Sequence, residues 1–225
     1  PAPDSWSVVW DPGSPYKGAI TNYDSPVDGI AAAAVYLMST KPDLAIKNPY
    51  ALDQKQFDAA IALLQQQKPA VGTYWASYTD AQKALESGTT VVGSTWQIIV
   101  NLAKADKAPV ESVLPKEGAT GWADTTMLHV DAKHPNCAYL WMEHSLNPKL
   151  QGDLSAWFGS VPAVPAACKG NKLLTDAGCA AQGYNDFDRI SFWKTPESNC
   201  FGDQPEGTCV PYSTWVEEYQ KILNM

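Results

Sequence analysis

The sequence predicts an α/β fold with a mixed, mainly parallel sheet. β-type runs alternate with helical segments from residue 18 to residue 130, and the helical segments carry apolar residues at spacings of three and four. Cap and stop residues bracket those segments. Such alternation argues for a layered α/β architecture rather than a bundle or a sandwich. The chain has 225 residues, 45% of them hydrophobic, with nine Trp and ten Tyr, enough for a sizeable core in one large domain or two small ones.

The first β-type run covers residues 18–22. Ser25-Pro26-Val27-Asp28 then reads as a helix start, with Ser25 as N-cap, Pro26 at the first helical position and Asp28 three residues past the cap. That helix is expected over residues 26–38, because Val27, Ile30, Ala31, Ala34, Leu37 and Met38 line one face. Asp53 caps a second helix that breaks at Lys68-Pro69. A third covers residues 79–87, with Thr79 and Gln82 at capping-box spacing and Gly88 as its stop. Further β-type runs occupy residues 89–95, 110–114 and 125–130. Helices follow near 137–146, 149–157 and 213–223, the last after a stretch rich in Gly, Pro and Cys.

Composition narrows the function. Lys and Arg total 16 against 24 Asp and Glu, and Arg189 is the single arginine, so nucleic acid is excluded as a partner. The richest apolar run, residues 30–38, is far short of the roughly 18 residues of a membrane span. The chain opens at Pro1-Ala2-Pro3-Asp4 without a charged or apolar leader, so any secretory signal is expected to have been removed or to lie outside this sequence, and export has to be argued from other residues. Cysteines support export. Cys168, Cys179, Cys200 and Cys209 lie among loop-forming residues without a C-x-x-C pair, and His129, His134 and His144 lack zinc-site spacing, which favours disulfides over metal. The pairs Cys168–Cys179 and Cys200–Cys209 each close a short Gly-containing loop. Cys137 is left over, read as a buried small hydrophobe or as the partner of a thiol outside this chain.

No nucleophile elbow, P-loop or dinucleotide fingerprint is present, and no cofactor is implied; catalysis would need carboxylates assembled only in space, as in a secreted hydrolase. Aromatic and acidic residues instead stand at the ends of β-type runs, beyond whose carboxyl ends open α/β sheets bind ligands. Trp96 follows the run 89–95, and Trp122 and Asp124 sit in Gly118-Ala119-Thr120-Gly121-Trp122-Ala123-Asp124. A Trp face beside a carboxylate suits an alkylammonium group. Read from residues alone, these could equally be core aromatics and a turn cap. Asp28 is already explained by the helix start, and Tyr74, Trp75 and Tyr78 form a second aromatic cluster on a connection between helices, where packing accounts for them as well as ligand contact does.

Several segments, in order, resemble the periplasmic polyamine-type solute-binding proteins that deliver ligands to ABC importers. They are Trp10-Asp11-Pro12 through Tyr16-Lys17-Gly18, Gly93-Ser94-Thr95-Trp96, Pro115-Lys116-Glu117-Gly118, Trp122-Ala123-Asp124 and Val216-Glu217-Glu218-Tyr219-Gln220-Lys221-Ile222-Leu223. The resemblance covers nearly the whole chain. It implies a type II periplasmic-binding-protein-like lobe formed by residues 1–123 and 170–225, with residues 124–169 forming the crossover and helices of an incomplete second α/β lobe. It implies ligand contact by Trp96, Trp122 and Asp124, with Asp28 both cap and cleft carboxylate, and a permease as protein partner. Nothing here corresponds to the N-terminal portion of that family, which is expected as a further partner. Ser25 and Lys194 stand where polyamine binders place an acidic and a neutral polar residue. A cleft lysine would repel a diamine unless turned away, which keeps amino acids, organic anions and metal chelates as alternative solutes.

Overall fold

The computed structural model describes residues 3–225. Residues up to Trp122 form one compact unit with Asp188–Met225, and Ala123–Phe187 form the other. In the first unit the chain runs through α1 (Ser7–Trp10), β1 (Ile20–Tyr23), α2 (Pro26–Thr40), α3 (Gln54–Gln67), β2 (Val71–Trp75), α4 (Tyr78–Glu86), β3 (Val92–Gly93), α5 (Gln97–Ala105) and β4 (Ala119–Gly121). The second unit holds α6 (Pro135–Ser145), α7 (Pro148–Phe158) and α8 (Thr175–Ala181), after which β5 (Ile190–Phe192) and α9 (Tyr212–Leu223) complete the first.

Parallel pairing organises the first unit. β1 lies between β2 and β3, with Tyr23 opposite Trp75, Asn22 opposite Tyr74 and Thr21 opposite Gly93, while β4 pairs in parallel with β5. Gly93 is required by close approach: a Cβ there would lie 1.9 Å from the Thr21 carbonyl oxygen.

Helix ends follow local chemistry. Ser25 Oγ accepts from the Asp28 backbone N–H at 3.3 Å, and Pro26 opens α2 without wasting a donor. Asp53 and Gln56 form a reciprocal capping box at α3, with bonds of 2.8 and 3.0 Å. Small residues let α2 pack closely; Ala31, Ala33 and Ala34 are fully buried, and the helix lies against α3 and α9. Ile30, Phe57, Leu64, Trp215 and Tyr219 fill the core between those helices, each large apolar side chain contributing about 1.5–3 kcal/mol by burial.

Several expectations need correction. Residues 110–114 and 125–130 are not strands: Pro109 and Pro115 flank the first, and Met127 and Val130 of the second are 86% and 92% exposed with no ladder to join. The strand expected at 18–22 lies instead at Ile20–Tyr23, and of 89–95 only Val92–Gly93 pair. Thr79 and Gln82 form no capping box. The third helix starts at Tyr78 behind Ser77, whose hydroxyl meets Thr79 Oγ1, while Gln82 bonds Glu86 and Asp106.

In the second unit α7 approaches the segment after Cys168, since a Cβ on Gly152 would lie 2.3 Å from Asn171 Nδ2, which itself bonds Asp153. These contacts and the Cys168–Cys179 bridge hold residues 170–187 in this unit. The second break therefore follows Phe187, where the sequence placed it after residue 169. No residue of α6 is buried; Tyr139, Trp141 and Trp157 are 59%, 65% and 77% exposed. Cys137 is free and exposed, which corrects its reading as a buried hydrophobe.

Cysteines bridge in the expected pairs, Cys168–Cys179 and Cys200–Cys209. By loop-closure entropy each is expected to contribute about 2–3 kcal/mol. Urea unfolding before and after reduction measures this, with peptide maps confirming both pairs; no change in midpoint on full reduction would refute it.

Candidate functional site

Strand polarity brings the aromatic residues together. β1, β2, β3 and β4 end at or just before Tyr23, Trp75, Trp96 and Trp122, so the carboxyl ends of parallel strands deliver four rings to one place. Tyr23 stacks on Trp75 at 4.5 Å, Trp96 stands edge-on to both at 5.2 and 5.1 Å, and Trp122 meets Trp96 at 5.4 Å. Trp75 is buried and anchored by its indole N–H, which donates to the Ser94 carbonyl oxygen at 3.1 Å. Trp122, 47% exposed, offers a free face.

These rings wall a cavity that also takes in Trp6, Trp10, Asn22, Tyr74, Tyr219 and the half-buried Asp28, all in the first unit. Among the described residues, Asp28 is the only charged one in the lining. Ser25 Oγ donates to its Oδ2 at 2.6 Å, and no described ion pair includes it. Burial pushes the Asp28 carboxyl above its usual range, opposed by the Ser25 hydroxyl and its own backbone N–H.

The phenols of the wall are held above their ordinary range. Burial raises the Tyr74 phenol to about 12, with Asp24 adding to the shift. Tyr23 and Tyr219 are raised by burial first and then by Asp24 and Asp28. Two carboxylates at the end of β1 and the start of α2 thus act on the same rings. No Lys, Arg or His among the described residues lines the cavity.

Of the residues singled out in the sequence, Trp96, Trp122 and Asp28 line this cavity, and Ser25 touches it through Asp28. Lys194 does not; its ammonium sits 4.8 Å above the Phe201 ring. Asp124 is exposed, belongs to the second unit and is not in the lining. Sequence reasoning missed Tyr23, Asn22 and Asp24, for which position at the end of a β-type run was the available signal.

Glu117, in the segment Pro115-Lys116-Glu117-Gly118, fastens the cavity's edge. It accepts from the Ser5 hydroxyl and the Trp6 backbone N–H, while the Trp6 indole donates to the Gly118 carbonyl oxygen at 2.8 Å. The hydrogen bonds from Ser5 and Trp6 hold the Glu117 carboxyl below its usual range, against the opposing effect of burial.

Residues 1–181 match the family described as bacterial extracellular solute-binding protein. The chain belongs to this family. Its members act outside the cytoplasm, which agrees with the disulfides. Among relatives, the putrescine/cadaverine-binding protein of Pseudomonas aeruginosa is 27% identical over 168 residues, covering 70% of this chain and 44% of that protein. Among solved structures, the spermidine/putrescine ABC transporter substrate-binding protein of Streptococcus pneumoniae superimposes with a TM-score of 0.70 at 14% identity, covering 99% of this chain and 63% of that one. The PBP MotA of A. tumefaciens B6, in complex with glucopine, gives 0.59 at 18% identity over 96% of this chain and 66% of that one. The chain therefore spans less than half of the Pseudomonas relative and under two thirds of the Streptococcus structure.

Proposed function

We propose that this chain supplies one wall of a binding site for a small organic cation of the polyamine class, which the whole protein presents to the permease of an ABC importer without covalent chemistry. The observation that carries the reading is the aromatic cavity in which Asp28 is the only charged lining group among the described residues. Alkyl carbons of a diamine pack on Trp96 and Trp122, and an ammonium pairs with the carboxylate while the ring faces add cation–π attraction. Names of the Pseudomonas and Streptococcus relatives agree with that chemistry. Lys194, turned onto Phe201, leaves the wall free of a repelling cation.

Asp124 follows Trp122 by two residues, within about 7 Å of chain. We propose it as a second carboxylate of the site on its place in the segment Trp122-Ala123-Asp124.

Titration of the full-length protein with putrescine is expected to saturate with a change in Trp fluorescence and no consumption of the diamine. Asp124→Asn is expected to weaken putrescine by about 2–3 kcal/mol, against roughly 1 for Trp122→Phe. Turnover would favour a hydrolase. Binding of an amino acid, an organic anion or a metal chelate in place of putrescine would reassign the solute, and wild-type affinity in Asp124→Asn would remove that residue from the site.

A further inference from the structure

Beneath the aromatic rings runs a buried chain of amides that the binding chemistry above does not use. It begins at the Val9 backbone carbonyl, to which Gln67 Nε2 donates at 3.1 Å. Gln67 Oε1 in turn accepts from Asn22 Nδ2 at 2.8 Å. Gln67 and Asn22 are 2% and 8% exposed, so neither amide can exchange its partner for bulk water.

Direction in this chain is forced. A backbone carbonyl can only accept, so Gln67 must turn its nitrogen toward Val9 and its oxygen toward Asn22. Asn22 must then donate through Nδ2, because a flipped amide would set oxygen against oxygen in a buried place. The consequence is that Asn22 Oδ1 points away from the relay. It accepts no hydrogen bond from the described residues, is not sealed off as a buried orphan atom, and belongs to a residue that lines the cavity.

We propose that Gln67 is a positioning residue that holds Asn22 with its carbonyl oxygen, and not its amide nitrogen, toward the solute. This rests on the polyamine reading and adds a specificity element to it. An ammonium carries three donors and no acceptor. Asp28 answers one donor with charge, and Asn22 Oδ1 answers another without adding a second charge to desolvate. A carboxylate in the same place would meet lone pairs from both. The relay therefore selects for N–H donors and against anionic solutes, from a residue at the last position of α3 that touches no solute itself.

Isothermal titration of the full-length protein with putrescine, on the wild type, Gln67→Leu, Gln67→Glu, Asn22→Leu and the double leucine variant, tests this. Gln67→Leu is expected to lose five- to tenfold in affinity. Gln67→Glu, protonated in so buried a position, keeps one donor and one acceptor and is expected to stay within twofold of wild type. The double variant should bind no more weakly than Asn22→Leu alone, since Gln67 acts only through Asn22. Wild-type affinity in Gln67→Leu overturns the proposal, as does a further five- to tenfold loss in the double variant. If the wild type ignores putrescine, the proposed solute class fails while the relay is still decided. The Asn22 side-chain amide protons should be protected from hydrogen exchange in wild type and exposed in Gln67→Leu, and absence of protection in wild type refutes the relay.

Discussion

Trp215→Ala is expected to destabilise the first unit by about 3–5 kcal/mol, the cost of removing a large aromatic side chain from a packed core. Trp215 is fully buried, lies 5.7 Å from the Phe57 ring, and donates its indole N–H to the Val210 carbonyl oxygen at 3.1 Å. The substitution leaves a cavity between α9 and α3 and strands a carbonyl acceptor. Against a total stability of roughly 5–15 kcal/mol for a domain, that loss is a large fraction. It also reaches the site, because α9 carries Tyr219, whose ring edge would lie 2.8 Å from a Cβ on Gly29 and whose hydroxyl donates to the Tyr23 carbonyl oxygen at 3.3 Å. Urea denaturation measures the change, with Trp215→Phe as a milder control. A loss below about 1 kcal/mol would show that α9 is not integral to this core.

How much of this was legible in the sequence depends on the range of the interactions involved. α2 was readable because Ser25, Pro26 and Asp28 sit within one turn, and its apolar face repeats with helical period. β2 was not: Val71-Gly72-Thr73-Tyr74-Trp75 has no alternation and is interrupted by Gly72. It is a strand because β1, some fifty residues earlier, offers a parallel edge in the register Tyr23 to Trp75. The converse error has the same origin. Residues 110–114 and 125–130 have strand composition, but composition supplies no partner, and propensity for β structure is mostly a statement about neighbours. The site shows the same division. Trp96 and Trp122 stood near β-type runs and Asp28 at a helix start, positions that packing and capping explained equally well until the family resemblance singled them out, whereas the stacking of Tyr23 on Trp75 and the bond from Asn22 to Gln67 exist only once the strands and α3 are assembled.

Asp28→Asn is expected to weaken putrescine roughly 30- to 150-fold, equivalent to about 2–3 kcal/mol, by deleting the charged group of the cavity lining. The amide keeps an oxygen to accept from Ser25, so α2 should keep its start and the variant its fold. pH separates charge from shape. Burial raises the folded pKa of Asp28 above its unfolded value of about 3.9, so the native state without ligand holds this proton more tightly than the unfolded chain does. Its contribution to stability is therefore favourable at acid pH and is lost as pH rises between those two values. Cation binding runs the other way, because an ammonium prefers the carboxylate. Putrescine affinity should fall as pH drops through the raised Asp28 pKa, at a higher pH than an ordinary carboxylate would give, and that part of the pH dependence should vanish in Asp28→Asn. Calorimetric titrations of both proteins across the acid range measure it. Parallel pH profiles for wild type and variant would show that Asp28 helps to start α2 and does not bind the cation.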